Sequence, residues 1–460
     1  MSAATLAVYA VALAVAAVIV WRRPVIALYV FVVGLALHNV AMDALYNAGV
    51  HGRPLTLVQA WKDVLLVVAF ARVGFDTMRA RRLPFRPLLA DAFALAFAAI
   101  VVLYAVIPQD VLDGHATHKA IGYALRHDIE PIAAYFVGRA VVPRLRELRW
   151  LVLVTAAAVA AWGLIDVYAI DLSWWRHNGT AAYFDKQLGY PYGGGLSGLP
   201  ENFVYNNGNE HDLVRRLIST FLSPLGSAYI CLVALLIAPR VRAAIPFAVL
   251  AAAGLLWTHT RAAILALAVG FVVMAGVWRR LWPLAAAVAT IAVGFAFLAS
   301  FTHIAPSASF THSELKVQRA SGQRAGTQRF EPSTESHLSS LWDGVKTIAH
   351  HPQGYGLGNA GEVAFRAHVP LKAGESNYTE LGVETGLLGA LLFIAWNLAV
   401  LWTLAVRCRP ALAGAFAAVL FVAIQTDAYG IPWLGYVAWW VAGAALTASR
   451  NRRFRKDEVT

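Results

Sequence analysis

The chain has 460 residues, 59% of them hydrophobic and 14% charged, whereas a soluble domain is about half apolar and a quarter charged. That excludes the soluble globular class and indicates an all-α, polytopic transmembrane helix bundle. The formal net charge of +12 does not indicate a nucleic-acid binder, because many Lys and Arg residues lie in short clusters between apolar runs, the pattern that sets membrane topology.

Taken in chain order, about thirteen apolar runs are candidate spans, near 4–21, 25–42, 57–77, 88–106, 129–143, 149–168, 215–238, 243–259, 261–278, 282–302, 379–405, 411–428 and 431–448. A helix needs roughly 20 such residues to cross the hydrocarbon core. The first run begins without a basic segment or a small-residue cleavage site, so it reads as a retained helix and not as a signal peptide. Lys62 and Asp63 interrupt the third run, and the fifth is short. Cys231 and Cys408 fall in or beside different runs, which suggests neither a disulfide framework nor a metal site.

Basic residues follow every alternate run: Arg22-Arg23, the Arg72–Arg86 group, the Arg139–Arg149 group, Arg240 and Arg242, Arg279-Arg280, Arg407 and Arg409, and the tail from Arg450 to Lys456. Short basic connections are cytoplasmic, which places the N-terminus outside and the C-terminus inside. The chain then divides into N-terminal transmembrane helices (1–168), an extracytoplasmic loop (169–214), transmembrane helices carrying arginine motifs (215–302), a large extracytoplasmic loop with an amphipathic helix (303–378), C-terminal transmembrane helices (379–448) and a basic cytoplasmic tail (449–460). Loops as long as these two are usually functional. The first is rich in aromatic and amide groups (Trp174-Trp175, Tyr190-Pro191-Tyr192, Asn206-Asn207-Gly208-Asn209), side chains that suit sugar rings or, alternatively, an interfacial aromatic belt.

Three groups on the outer face carry chemistry. Arg215-Arg216 precede Thr220-Phe221-Leu222-Ser223-Pro224; an arginine fork binds phosphate through paired charge-assisted hydrogen bonds, the alternative being a snorkelling anchor. Thr258-His259-Thr260-Arg261-Ala262 forms a tight turn between two runs, and an arginine so placed faces a cavity or a partner. In the third group, Leu338, Leu341, Trp342, Val345, Ile348 and Ala349 recur at helical spacing. His350-His351-Pro352 ends that helix, and Gly354, Gly356 and Gly358 read as a flexible loop. Adjacent histidines without a third ligand at suitable spacing do not suggest a metal. Asn377 with Glu380 reads as a helix N-cap and its return partner, and Gly382, Gly386 and Gly389 as a close-packing face. Glu375 then lies just outside the cap, as a general base or a ligand for a sugar hydroxyl, or as a solvated loop carboxylate.

Together these motifs resemble the O-antigen ligase and O-antigen polymerase superfamily of bacterial membrane glycosyltransferases. The resemblance rests on Arg216 with Thr220-Phe221 and Pro224; on Thr258-His259-Thr260-Arg261-Ala262; on Trp342, His351-Pro352 and Gly354-Tyr355-Gly356-Leu357-Gly358-Asn359; and on Glu375-Ser376, nine residues, then Gly386-Leu387-Leu388-Gly389. It covers roughly 215–390. Where the ligases carry histidine, this chain has Glu375, and a Glu-Ser pair is commoner among polymerases.

The resemblance implies a GT-C-like bundle of about 12–14 spans in the bacterial inner membrane, with its active site facing the periplasm. The implied activity is inverting, metal-independent transfer from an undecaprenyl-diphosphate-linked glycan, by a polymerase or, alternatively, by a ligase acting on lipid A core. It implies catalytic roles for Glu375, Arg261 and Arg216, and substrate or diphosphate binding by Arg215, Arg216, Arg261, Ser376, Tyr355, His351 and His337. No cofactor or metal is implied. The implied partners are the lipid-linked donor, the glycan or lipid A core acceptor, membrane lipids and a chain-length regulator protein. A transporter would instead need interior charges and repeat symmetry, and most mid-chain runs are uncharged apart from Lys62-Asp63 and Glu130.

Overall fold

The computed structural model describes residues 3–190, 199–200, 202–205, 213–308, 332–372 and 376–447, with the backbone alone at 3–4 and 332–337. Among the described residues, seven helices are long and apolar enough to cross a membrane: Thr5–Arg22, Val25–Asn47, Leu89–Val106, Leu145–Ala169, Arg261–Trp278, Trp282–Ile304 and Asn377–Val406. Arg53–Gln59 and Trp61–Ala80, bent by 42°, together make an eighth. Four shorter apolar helices, Pro224–Ile237, Arg242–Trp257, Pro410–Val422 and Leu434–Thr447, fill the rest of the bundle. Each expected run therefore carries a helix, and the chain is an all-α multi-pass bundle.

Helices approach closely where both contribute small residues. A Cβ on Gly414 would stand 2.5 Å from the Gly270 carbonyl oxygen, and one on Gly443 would stand 2.2 Å from that of Tyr135. Without a hydrophobic driving force between helices in lipid, such contacts supply the packing energy.

The run expected at 129–143 belongs to a longer helix, His118–Ala140, capped by the Thr117 hydroxyl accepting from the Ala120 N–H at 3.2 Å. Its charged residues face partners. The Arg139 guanidinium donates to both oxygens of Asp91, at 2.8 and 3.0 Å, and Tyr135 donates to the same carboxylate at 2.7 Å. Arg126 lies 3.5 Å from Asp63 and 3.4 Å from Glu130, and Lys62 lies 3.7 Å from Asp63. Charges are costly inside a bundle unless paired, and these pair with one another.

The Asn377–Val406 helix is broken at Gly386 (φ 72°, ψ −179°). A break frees backbone groups that a membrane protein must satisfy internally. Here the glycine-rich stretch after His351 docks into it: Tyr355 N–H donates to Val383 O at 2.7 Å, Gly356 N–H to Glu384 O at 3.0 Å, and Leu387 N–H to Pro352 O at 2.8 Å. The stretch expected to be a flexible loop is thus a fitted plug. A Cβ on Gly354 would stand 2.4 Å from the Gly386 nitrogen, so the glycines serve close approach. Of the expected packing face, Gly382 lies against Ile348 and Gly386, which makes the break, lies against Pro352 and Gln353, while a Cβ on Gly389 would first meet Thr385 of its own helix. Gly386→Ala is expected to destabilise the protein by about 1–3 kcal/mol, the strain of a side chain at positive φ, read as a lower unfolding temperature in detergent. An unchanged temperature would show that the break needs no glycine.

The run expected at 215–238 becomes α-helical only at Pro224, with Ser223 as N-cap. Proline at the first helical position has no N–H to waste, and the preceding residue is pushed to extended geometry. Upstream, the chain is extended around Val214–Arg215 and then makes a short 3-10 turn at Ser219–Phe221, almost all of it buried. Val214–Arg215 pairs antiparallel with Val204–Tyr205. Arg215 N–H donates to Pro306 O, Arg216 N–H to Phe203 O and Leu217 N–H to Trp257 O, at 2.9 to 3.1 Å. This short extended piece carries the first arginine motif.

Candidate functional site: two arginines at a buried turn

Successive side chains of an extended strand point to opposite faces, and that separates Arg215 from Arg216. The Arg215 guanidinium donates to Asp166 at 2.9 Å, and the same Asp166 oxygen accepts from the Trp175 indole at 2.8 Å. It also donates to the Ile170 carbonyl. Arg215, expected among the phosphate ligands, is therefore already neutralised. Asp166→Ala is expected to destabilise the fold by about 3–5 kcal/mol, because it strands a buried guanidinium. Thermal unfolding of the purified protein checks this, and a shift within error would show that the pair is dispensable.

Arg216 is 9% exposed and meets only neutral oxygens in its hydrogen bonds: Nε donates to Thr258 O at 2.8 Å, and Nη2 to Thr260 Oγ1 at 3.2 Å. The tertiary fold thus brings the first two motifs together. Burial lowers the Arg216 guanidinium to about 10; Tyr229 opposes this, and the neighbouring Arg261 charge adds to it. It remains cationic at neutral pH, beside a second cation. The turn itself is held by packing: His259, at φ 51°, lies with its ring 4.0 Å from that of Tyr205 and 4.3 Å from that of Phe301. Downstream, Thr220 donates to Ala36 O at 2.6 Å and Asn39 donates to Phe221 O at 2.8 Å, so the Thr-Phe element ties this strand to the Val25–Asn47 helix.

The third motif is built around Asn359, which is fully buried. Its amide donates to Tyr355 O, Gly356 O and Gln109 Oε1, at 2.6 to 3.0 Å, and accepts from the His115 N–H at 2.7 Å. Glu384 accepts from the Gly358 N–H at 2.8 Å. His351 stacks on Tyr355 at 3.9 Å, and Lys372 stands 4.9 Å over the same ring. His351 Nε2 faces Leu112 O at 3.2 Å and Nδ1 faces Gln353 at 3.1 Å, so both ring nitrogens are engaged. His351 and Tyr355 come together, as one stacked pair.

Glu375 lies outside the described residues, as does the side chain of His337. The N-cap of the following helix is Ser376, not Asn377. Its hydroxyl donates to Ala423 O at 3.2 Å and does not cap the helix. Asn377 is turned sideways: its amide donates to Asp427 at 2.7 Å and accepts from the Ala428 N–H at 2.7 Å. Glu380, expected to return to the cap, is buried against Gly361, where a Cβ would stand 2.1 Å from its carboxyl carbon.

Sequence reasoning missed Asp427. Burial acts to raise its carboxyl, but His127, the Gly430 N–H and the Asn377 amide together hold it below the ordinary carboxylate range. A single aspartate between two apolar helices was the available signal. It also missed Arg366, which joins the two long connections between apolar runs, 169–214 and 303–378. The Arg366 Nε donates to Leu188 O at 2.7 Å, and the guanidinium lies 5.2 Å from the Tyr190 ring centroid. Burial raises the neighbouring Glu362 carboxyl, against the hydrogen bond from Tyr190.

The buried Arg216 beside the partly exposed Arg261 can bind an anion, and the pinned helix start at Ser376 can hold a reacting segment in place. No curated protein matches the chain. Residues 246–394, about a third of the chain, match the family model described as O-antigen ligase, a stretch that takes in the Arg261 turn, the Gly354–Asn359 plug and the helix break at Gly386. Over those residues the chain carries a match to the O-antigen ligase family model, which supports the O-antigen ligase/polymerase superfamily.

Proposed function

We propose that the protein is an inverting glycosyltransferase of the bacterial inner membrane that uses an undecaprenyl-diphosphate-linked glycan on the periplasmic side. The observation that carries this reading is Arg216: a buried guanidinium whose hydrogen-bond partners are neutral, set beside Arg261, while its neighbour Arg215 is spent on Asp166. A buried guanidinium that donates to neutral oxygens, with a second cation beside it, favours an anion there, and a diphosphate matches the guanidinium fork.

Arg216 and Arg261 stabilise the charge that grows on the diphosphate as the bond to the anomeric carbon breaks. Arg215 holds the strand that presents Arg216. The acceptor hydroxyl oxygen attacks the anomeric carbon from the face opposite the diphosphate. Its proton passes to the Glu375 carboxylate, and the lipid diphosphate leaves with the bonding electrons, inverting the configuration. Because the diphosphate already activates the sugar, the step calls for no nucleotide sugar, ATP or metal. The Gly354–Asn359 plug keeps the backbone of the Ser376 helix in one conformation during transfer.

The Glu375-Ser376 pair favours a polymerase, in which the acceptor is another lipid-linked glycan and a chain-length regulator is an expected partner. The second reading is transfer to lipid A core, and the match to the family model described as O-antigen ligase is compatible with either. Reconstitution with a lipid-linked repeat unit, with and without lipid A core, separates them. A ladder formed without core supports the polymerase. Single transfer that requires core supports the ligase. Transfer under neither condition overturns both.

A further inference from the structure

Away from the arginine turn, helix His118–Ala140 reaches the start of the Asn377–Val406 helix through one imidazole. His127 Nδ1 lies 2.9 Å from Asp128 Oδ1, and Nε2 lies 2.9 and 3.1 Å from the two oxygens of Asp427. Both ring nitrogens face carboxylates, and only the imidazolium can donate to both. Asp427 in turn accepts from Asn377 at 2.7 Å and from the Gly430 N–H at 2.8 Å. Asn377 N–H and Ser376 Oγ both donate to Ala423 O, at 3.1 and 3.2 Å. An unbroken chain of contacts thus runs from Asp128 through His127, Asp427 and Asn377 to Ser376.

We propose that His127 is a positioning residue for glycan transfer, acting through Asp427 and Asn377 to fix the Ser376–Asn377 helix start. The inference rests on the transferase reading above. The imidazolium is a cation between the Asp128 and Asp427 carboxylates, and charge-assisted bonds of this kind are shorter and more directional than neutral ones. Without it, Asp427 keeps its bonds to Asn377 and Gly430 but loses the donor on its other side. The helix start is then free to settle over several positions. A misplacement of about 1 Å remote from the chemistry can lower a rate about 100-fold. Because the donor diphosphate is bound elsewhere, the loss falls on kcat and leaves KM for the donor alone.

The test is a double-mutant cycle of His127→Gln and Asp427→Asn on the full-length protein in vesicles, with kcat and KM measured for transfer from a lipid-linked repeat unit. Expected are a fall in kcat of about tenfold or more in each variant, KM within about twofold of wild type, and a double variant no worse than the poorer single one. If His127→Gln fails to insert, Asp128→Asn removes the other end of the bridge and is expected to show the same kcat loss. Wild-type kcat in the inserted variants, or losses that multiply in the double variant, overturn the proposal. So does a loss that only tracks the fraction of unfolded protein. Wild-type protein that transfers nothing sinks the transferase reading, and this inference with it. Active wild type beside fully active variants sinks this inference alone.

Discussion

Arg216→Ala and Arg261→Ala are each expected to lower the rate of glycan transfer by about 100- to 1,000-fold while the protein still inserts and folds. This is the usual loss when one preorganised group aimed at developing charge is removed from a water-poor site. The expectation is stronger for Arg216, because its two hydrogen bonds end on Thr258 O and Thr260 Oγ1, neutral atoms that lose little when the guanidinium goes. Nothing acidic is stranded among those partners, in contrast to Asp166 beneath Arg215. Arg216→Lys keeps the charge but not the planar fork, so it is expected to recover only part of the activity. The measurement is transfer from a lipid-linked donor in vesicles, alongside the unfolding temperature. Full activity in Arg216→Ala would make the residue a packing element of the turn.

Glu375→Gln is expected to lower transfer by about 100- to 10,000-fold, the range for removing a general base. The amide preserves shape and hydrogen-bonding reach but cannot take the proton of the attacking hydroxyl. Glu375→His restores a group able to accept a proton and is expected to keep more activity than Gln. Equal activity of Gln and wild type would make Glu375 a loop carboxylate, and equal activity of Gln and His would make it a hydroxyl ligand. These two predictions are independent: one concerns the leaving group and the other the acceptor.

The site was legible in the sequence as four short motifs, and their chemical types pointed to a phosphate and a sugar. Their division of labour was not legible. Arg215 and Arg216 are identical as letters, and only the strand alternation, with Asp166 arriving from another helix, separates a spent guanidinium from an available one. The glycines at 354–358 read as flexibility, because glycine alone reports freedom of φ. Their partner is the break at Gly386, some thirty residues on, and the pair turns that freedom into a fitted joint. Asn377 and Glu380 had the spacing of a capping pair, but Asp427 and Gly361 offered these side chains tertiary partners.

Composition and hydropathy by themselves determined that the chain is an all-α membrane bundle and, apart from the helices at His118–Ala140 and Pro224–Ile237, roughly where its apolar helices lie, because the bilayer sets span length through a property that each residue carries alone. Motif order determined the family resemblance for the same reason, since spacing is local. Only the tertiary structure decided which charges are neutralised inside the bundle, where the broken helix finds its missing hydrogen bonds, and that His127 reaches Asp427 across 300 residues of sequence. Those outcomes depend on pairs of groups distant in the chain, and burial makes each such pair energetically decisive.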